Sequence, residues 1–234
     1  MKTLTARALC LTAGAAVWMM AAVAPAQIPT AGSATGLNSA FLKLFEGTPA
    51  FTAKAETQVF DATQKETVKM PIEWSALDGK VRLEVDLERV AGKDMTPATL
   101  AALKQAGMSR VVSVYRPDKK ATYVMYPGVQ SYVEIPLDKG EVEALQKGLK
   151  LEKTPLGKES IDGHSCVKNK TTVKGEKGAV LQLTTWNATD LKDFPVQVEM
   201  QDKRDTIRMR FTQVKAARVD GKLFELPANY RLMK

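Results

Sequence analysis

The sequence predicts a mainly β (α+β) fold: one large, curled antiparallel sheet that forms a half-open barrel covered by short helices. Three observations predict it. From Phe51 onward apolar residues recur at every second position, the period of a strand with one wet face. Turn signals separate these runs at Asp78-Gly79, Arg116-Pro117-Asp118, Pro127-Gly128, Asp162-Gly163, Asp202-Lys203 and Asp220-Gly221. Only three short segments carry a helical pattern. A sheet with a single apolar face must cover it with a second sheet, by curling, or with helices. About ten strands against three short helices favour a curled, partly open barrel lidded by the helices.

The chain begins "MKTLTARALCLTAGAAVWMMAAVAPAQ". Basic Lys2 and Arg7, an apolar run from Ala8 to Ala24 and small Ala24 and Ala26 describe a secretory signal peptide over 1–26, cut before Gln27. The run is shorter than the roughly 20 residues a spanning helix needs. Leu9 stands where a lipidation motif around Cys10 requires a small residue. The expected mature protein is exported, periplasmic and free of transmembrane segments. Residues 27–39, "QIPTAGSATGLNS", are small, polar and aperiodic, and read as a flexible leader. Residues 40–234 then form a single domain.

In "NSAFLKLFEG" a cap at Asn38 or Ser39, apolar Phe41, Leu44 and Phe45, and a stop at Gly47 predict a short amphipathic helix. Val68, Met70, Ile72 and Trp74 share one strand face. Val81, Leu83, Val85 and Leu87 alternate with Arg82, Glu84, Asp86 and Glu88. "TPATLAALKQAG" has a Thr96 cap, Pro97 at the first helical position and a Gly107 stop. "DKGEVEALQKG" has an Asp138 cap and ends at Gly148. Later, Leu181 and Leu183 alternate with Val180, Gln182 and Thr184; Val196, Val198 and Met200 alternate with Gln197 and Glu199. Ile207, Met209 and Phe211 oppose Arg208 and Arg210. The strands read in meander order, without an internal repeat.

The formal charge of +8 falls to +6 when Lys2 and Arg7 leave with the signal peptide. Basic and acidic residues are interspersed, as in "KVRLEVDLER", which describes a solvated surface rather than a nucleic-acid-binding stripe. Cys166 is the one cysteine left after cleavage, so burial rather than an internal disulfide must hold the domain.

His164, the one histidine, stands two residues before Cys166 in "SIDGHSCVKNKTTV". Asp162-Gly163 makes a two-residue hairpin turn, so both side chains fall on one face of the returning strand, roughly 6.6 Å apart. The pair supplies half a zinc shell at most, with only Glu159 and Asp162 near it in sequence. An ordinary strand with a free thiol is the expectation. Glu84, Asp86 and Glu88 share a strand face with arginines beside them and read as wet-face charge rather than paired catalytic carboxylates. No supported Ser-His-Asp order, phosphate-cradling loop or dinucleotide fingerprint occurs. The sequence supports no catalytic residue, metal site or cofactor, and no enzyme is expected.

The late strands carry a resemblance. "GHSCVK", "LKDFPVQV" and the closing "LFELPANYRLM" are similar to the periplasmic lipoprotein-carrier superfamily (LolA-like, LolB-like and related exported domains of unknown function). In that superfamily a half-barrel of antiparallel strands closes over helices to hold acyl chains. The resemblance is clearest from Pro155 to Met233 and extends over the rest as strand order only. It implies a non-enzymatic binding or carrier protein for a lipid, acyl chain or other hydrophobic ligand, with an envelope protein or lipoprotein as partner. The expected pocket lining is Met70, Ile72, Trp74, Leu83, Val85, Leu183, Met209 and Phe211. Met70, Met125, Met200 and Met209 suit a deformable pocket as well as an ordinary core. The helices over Thr96 to Ala106 and Asp138 to Lys147 are the expected lids. The alternative is an envelope interaction or sensor domain without a small ligand. A continuous apolar cavity favours the first reading and a filled core the second.

Overall fold

The computed structural model describes residues 37–176, 178–202 and 204–233. The expected signal peptide and all but the last three residues of the expected leader lie outside the described residues. Those last three already belong to helix α1 (Leu37–Leu42), which continues as a 3-10 turn over Lys43–Phe45.

Thirteen strands among the described residues form one sheet. They are β1 (Ala50–Phe60), β2 (Glu66–Leu77), β3 (Lys80–Asp86), β4 (Ala91–Gly92), β5 (Arg110–Arg116), β6 (Ala121–Tyr126), β7 (Ser131–Pro136), β8 (Lys150–Ile161), β9 (His164–Gly175), β10 (Gly178–Ala188), β11 (Phe194–Asp202), β12 (Asp205–Lys215) and β13 (Arg231–Leu232). Helices α2 (Pro97–Gln105) and α3 (Lys139–Lys147) start as expected. The Thr96 hydroxyl accepts from Thr99 N, and the Asp138 carboxylate from Glu141 N, each satisfying a donor that a helix start leaves open.

The order β13-β7-β6-β5-β3-β2-β1-β12-β11-β10-β9-β8 shows two meanders rather than one. β1 joins them by pairing with β2 on one side and β12 on the other. α3 follows β7 near one edge of the sheet and leads to β8 at the other. β13 departs from the all-antiparallel expectation, because it lies parallel to β7.

The alternation sorts side chains as expected over most strands. On β2, Met70, Ile72 and Trp74 are buried while Glu73 is exposed; on β3, Val81, Leu83 and Val85 are buried. β11 departs: Phe194 through Val198 are all buried. Gln197, expected on the wet face, is 4% exposed and accepts from Arg210 Nε at 3.1 Å and from another Arg210 nitrogen at 2.8 Å. The long guanidinium arm covers the amide, so the outer face of this strand is dry without being apolar.

A second, smaller core explains the closing motif. The tail after β12 returns over the other face of the sheet, where Val219 and Phe224 pack with Val112, Val114 and Met125. Met125 therefore does not join Met70 and Met209 inside the curl. Arg116 fastens this tail: it is buried, pairs with both carboxylate oxygens of Asp118 at 2.9 and 2.7 Å, and donates to the Phe224 carbonyl at 2.8 Å. Its Nη1 also lies 2.9 Å from Glu225 Oε1.

Candidate functional site

The main core fills the inner face of the curl, and β1 sets its geometry with small side chains. Ala55 pairs with Ile72 on β2 and with Phe211 on β12; Thr57 pairs with Met70 and Met209 in the same way; Ala53 pairs with Trp74. Large residues from β2 and β12 therefore lean together across a low central strand. Trp74 pairs in turn with Leu83, and Val85 with Val111. The eight expected lining residues are all buried in this one core. Seven come from β3 and β2 on one side of β1 and from β12 on its other side, while Leu183 stands on β10, two strands beyond β12.

Beyond Leu183 the inner face turns polar. Thr171 and Thr185 share a hydrogen bond of 2.8 Å, and the Asn187 amide oxygen accepts from Thr185 at 2.6 Å and from Asn169 at 3.1 Å. Asn187 Nδ2 donates to the Asp193 carbonyl at 2.7 Å, tying down the turn before β11. These buried polar groups are mutually satisfied and mark where the apolar face stops.

What sits on the apolar face is α1 with its 3-10 extension. Phe45 is 5% exposed, and its ring lies 5.3 to 5.8 Å from the rings of Phe51, Trp74, Phe194 and Phe211. Phe41 is half-buried, 6.0 Å from Trp74. The apolar triplet Phe41, Leu44 and Phe45 marks this helix in sequence. Phe51 and Phe194, the first residues of two alternating runs, face inward as that period requires, but their meeting around Phe45 depends on strands far apart in sequence.

The two expected lids differ. α2 contains no fully buried side chain and reaches the core through half-buried Leu103. Its C-terminal Gly107 abuts Gly128, where an added Cβ would overlap the Gly107 carbonyl. α3 is anchored by Glu141, 2% exposed, whose Oε1 accepts from Ser39 N at 2.7 Å, Ser39 Oγ at 2.5 Å and the Tyr115 hydroxyl at 2.7 Å. This buried carboxylate joins α1, β5 and α3, and nothing in the sequence pattern distinguishes it from the exposed glutamates around it.

A cleft of about 240 Å³ opens beside the plug, with Leu44, Phe45, Leu151 and Phe194 as its apolar floor and Lys153 and Lys192 at its rim. Lys153 pairs with Asp193 at 2.6 Å. A smaller cleft of about 150 Å³ lies between the end of α3 and the β9–β10 hairpin. None of the eight expected lining residues borders either cleft.

The His164–Cys166 stretch forms the expected hairpin. Asp162 and Gly163 have φ of 49° and 85°, the left-handed pair of a type I′ turn. His164 Nδ1 lies 2.7 Å from Asp190 Oδ2, a partner 26 residues on that the local sequence does not announce. Cys166 is fully buried, its Sγ donating to the His164 carbonyl at 3.4 Å. Burial pushes the thiol up from its ordinary range, so the reactive thiolate is disfavoured. Lys168 is engaged elsewhere: it pairs with Glu159 at 2.9 Å and lies over the Trp186 ring. Among the described residues no three His, Cys, Asp or Glu side chains gather as metal ligands, and no helix is long and apolar enough to cross a membrane.

No protein-family model matches the chain, and no curated protein is similar to it in sequence. Solved structures are similar to it in fold. A LolA superfamily protein from Nitrosomonas europaea shares 10% identity over 83% of this chain and 98% of that one, with a TM-score of 0.40. LprF from Mycobacterium bovis shares 14% over 85% and 100%, with a TM-score of 0.39. The Mycobacterium tuberculosis lipoprotein LppX shares 12% over 76% and 94%, with a TM-score of 0.37.

Proposed function

We propose that this chain is a non-enzymatic periplasmic binding or carrier protein for a lipid, acyl chain or other hydrophobic ligand. One observation carries the reading: the inner face of an open, curled sheet is apolar over β1, β2, β3 and β12 except for Thr57, and is covered by short helices rather than a second sheet. In the structure α1 occupies that face with Phe41 and Phe45. A ligand enters as this plug and the lightly held α2 withdraw. The expected lining residues Met70, Ile72, Trp74, Leu83, Val85, Leu183, Met209 and Phe211 then meet its chain, and the thioethers adapt to varied apolar shapes.

Native mass spectrometry of protein purified from the periplasm without detergent tests the reading. A bound species of lipid mass, released by organic extraction, is the expected result. Protein of bare polypeptide mass that also fails to take up any fluorescent alkyl, ester or fatty-acid probe overturns it.

A second reading, an envelope interaction or sensor domain without a small ligand, is favoured by the filled core and by β8. This twelve-residue strand ends the sheet, is exposed along most of its length, and leaves Leu156 56% exposed. Unpaired strand edges accept added strands from partners.

A further inference from the structure

Two buried polar side-chain atoms lack any hydrogen-bond partner among the described residues, Trp74 Nε1 and Thr57 Oγ1. Both residues stand on the inner face: Thr57 pairs with Met70 and Met209, and Trp74 with Ala53 and Leu83. Such atoms are rare in folded proteins, because each forgoes hydrogen bonds that water would supply. The contrast within the chain is direct. Trp186 is equally buried, yet its indole N–H donates to Glu159 at 2.7 Å. The fold satisfies one indole and leaves the other, whose ring is bordered by Phe41, Phe45 and Phe211, without a partner.

An indole N–H can only donate, so its missing partner is an acceptor. The surroundings restrict that acceptor further. The inward residues of β1, β2, β3 and β12 around Trp74 are Ala, Thr, Val, Met, Ile, Leu and Phe, with no lysine or arginine among the buried ones. A carboxylate placed there would lose its hydration and gain no counter-ion, whereas a neutral carbonyl loses far less. We propose that the inner face takes a neutral acyl ester whose carbonyl oxygen accepts from Trp74 Nε1, in the space given up by Phe41. Phe41 is half-buried where Phe45 is almost fully enclosed, so it is the easier ring to displace. This inference rests on the carrier reading and names the ligand class for that site.

Three pyrene-labelled probes of one chain length test it: an alkane, a methyl ester and a free acid at neutral pH. The wild-type protein should bind the ester about tenfold more tightly than the alkane, the worth of one ordinary hydrogen bond, and the acid no better than the alkane. Trp74→Phe should bring the ester down to the alkane's level and leave alkane binding unchanged. In wild-type protein the Trp74 indole N–H signal, assigned by triple-resonance spectra of wild-type protein, should move downfield with ester and stay in place with alkane, a readout that needs no folded variant. Equal binding of ester and alkane, an ester advantage that survives Trp74→Phe, or an unmoved indole signal overturns the inference while leaving the carrier reading intact. Tightest binding by the acid overturns the choice of a neutral ligand. Binding of none of the three probes overturns the carrier reading and the inference with it.

Discussion

Tyr115 on β5 donates its hydroxyl to the Glu141 carboxylate on α3 at 2.7 Å, and the same oxygen receives both the amide and the hydroxyl of Ser39 on α1. Burial, more than the neighbouring Glu141 charge, pushes the Tyr115 hydroxyl well above its ordinary range, so it stays protonated and keeps donating. Removing the shared acceptor takes it from three buried donors at once, of which only the Ser39 and Tyr115 hydroxyls, 3.2 Å apart, can pair with each other instead. Glu141→Ala should cost on the order of 3 kcal/mol and Tyr115→Phe about 1 kcal/mol in urea unfolding. A Glu141→Ala loss no larger than that of Tyr115→Phe would remove the carboxylate from the centre of this junction.

The tail clasp predicts an acid limb of stability. Arg116 holds the Asp118 carboxyl down to about 2 from 3.8, chiefly through their hydrogen bonds, and Arg116 also lowers Glu225. A carboxylate lowered on folding contributes stability that is fully present above its unfolded value and is lost as pH falls through the folded one. The urea midpoint should therefore drop between about pH 4 and pH 2. Asp118→Asn should be less stable at neutral pH and show a shallower drop. Asp118 is about half exposed, which limits the effect. An unchanged acid limb in Asp118→Asn would show that other carboxylates control it.

If α1 is the plug that a ligand displaces, shortening its looser ring should favour the ligand. Phe41→Ala should cost roughly 2 kcal/mol of stability, below the range for fully buried phenylalanines. It should also tighten the binding of a fluorescent fatty acid several-fold, with Trp74 emission reporting the uptake. Arg208→Glu, on the outer face where Arg208 covers Phe60 and pairs with Glu199, should leave probe affinity unchanged. A Phe41→Ala protein that keeps its fold by circular dichroism yet binds no better would separate the plug from the binding site.

Cys166 should resist thiol reagents in the folded protein and react at once in urea, since its sulfur is fully buried and its thiol is pushed up. His164→Ala removes an exposed contact with Asp190 and should shift stability by no more than about 1 kcal/mol. Stoichiometric zinc released by either His164→Ala or Cys166→Ser would contradict this structural reading of the hairpin.

The sheet was legible because period-two alternation is a local property. Met70, Ile72, Trp74, Val81, Leu83, Val85, Met209 and Phe211 are buried as their spacing demands, and Asp78-Gly79 and Asp162-Gly163 turn where expected. What was illegible depends on neighbours far along the chain. Met125 has the period of a core residue, but only the returning tail with Phe224 decides which face it belongs to. Gln197 is buried because Arg210 lies over it. Asp190 reaches His164 and Glu141 reaches Ser39 across turns that no short window contains. The expected lining residues were found as core positions, while the α1 rings that now cover them were read only as one face of a helix.

The pairing of β1 with β12 has a consequence in time. It brings Lys54 opposite Thr212, residues 158 apart, and the whole apolar face is built around that seam. The first meander can zip from its own hairpins, but its inner face has no second wall until the last long strand arrives. Contacts this distant must overcome the entropy of closing a long loop before they repay it, which makes folding slow. A chain delivered N-terminus first would thus remain loosely structured until nearly all of it has emerged.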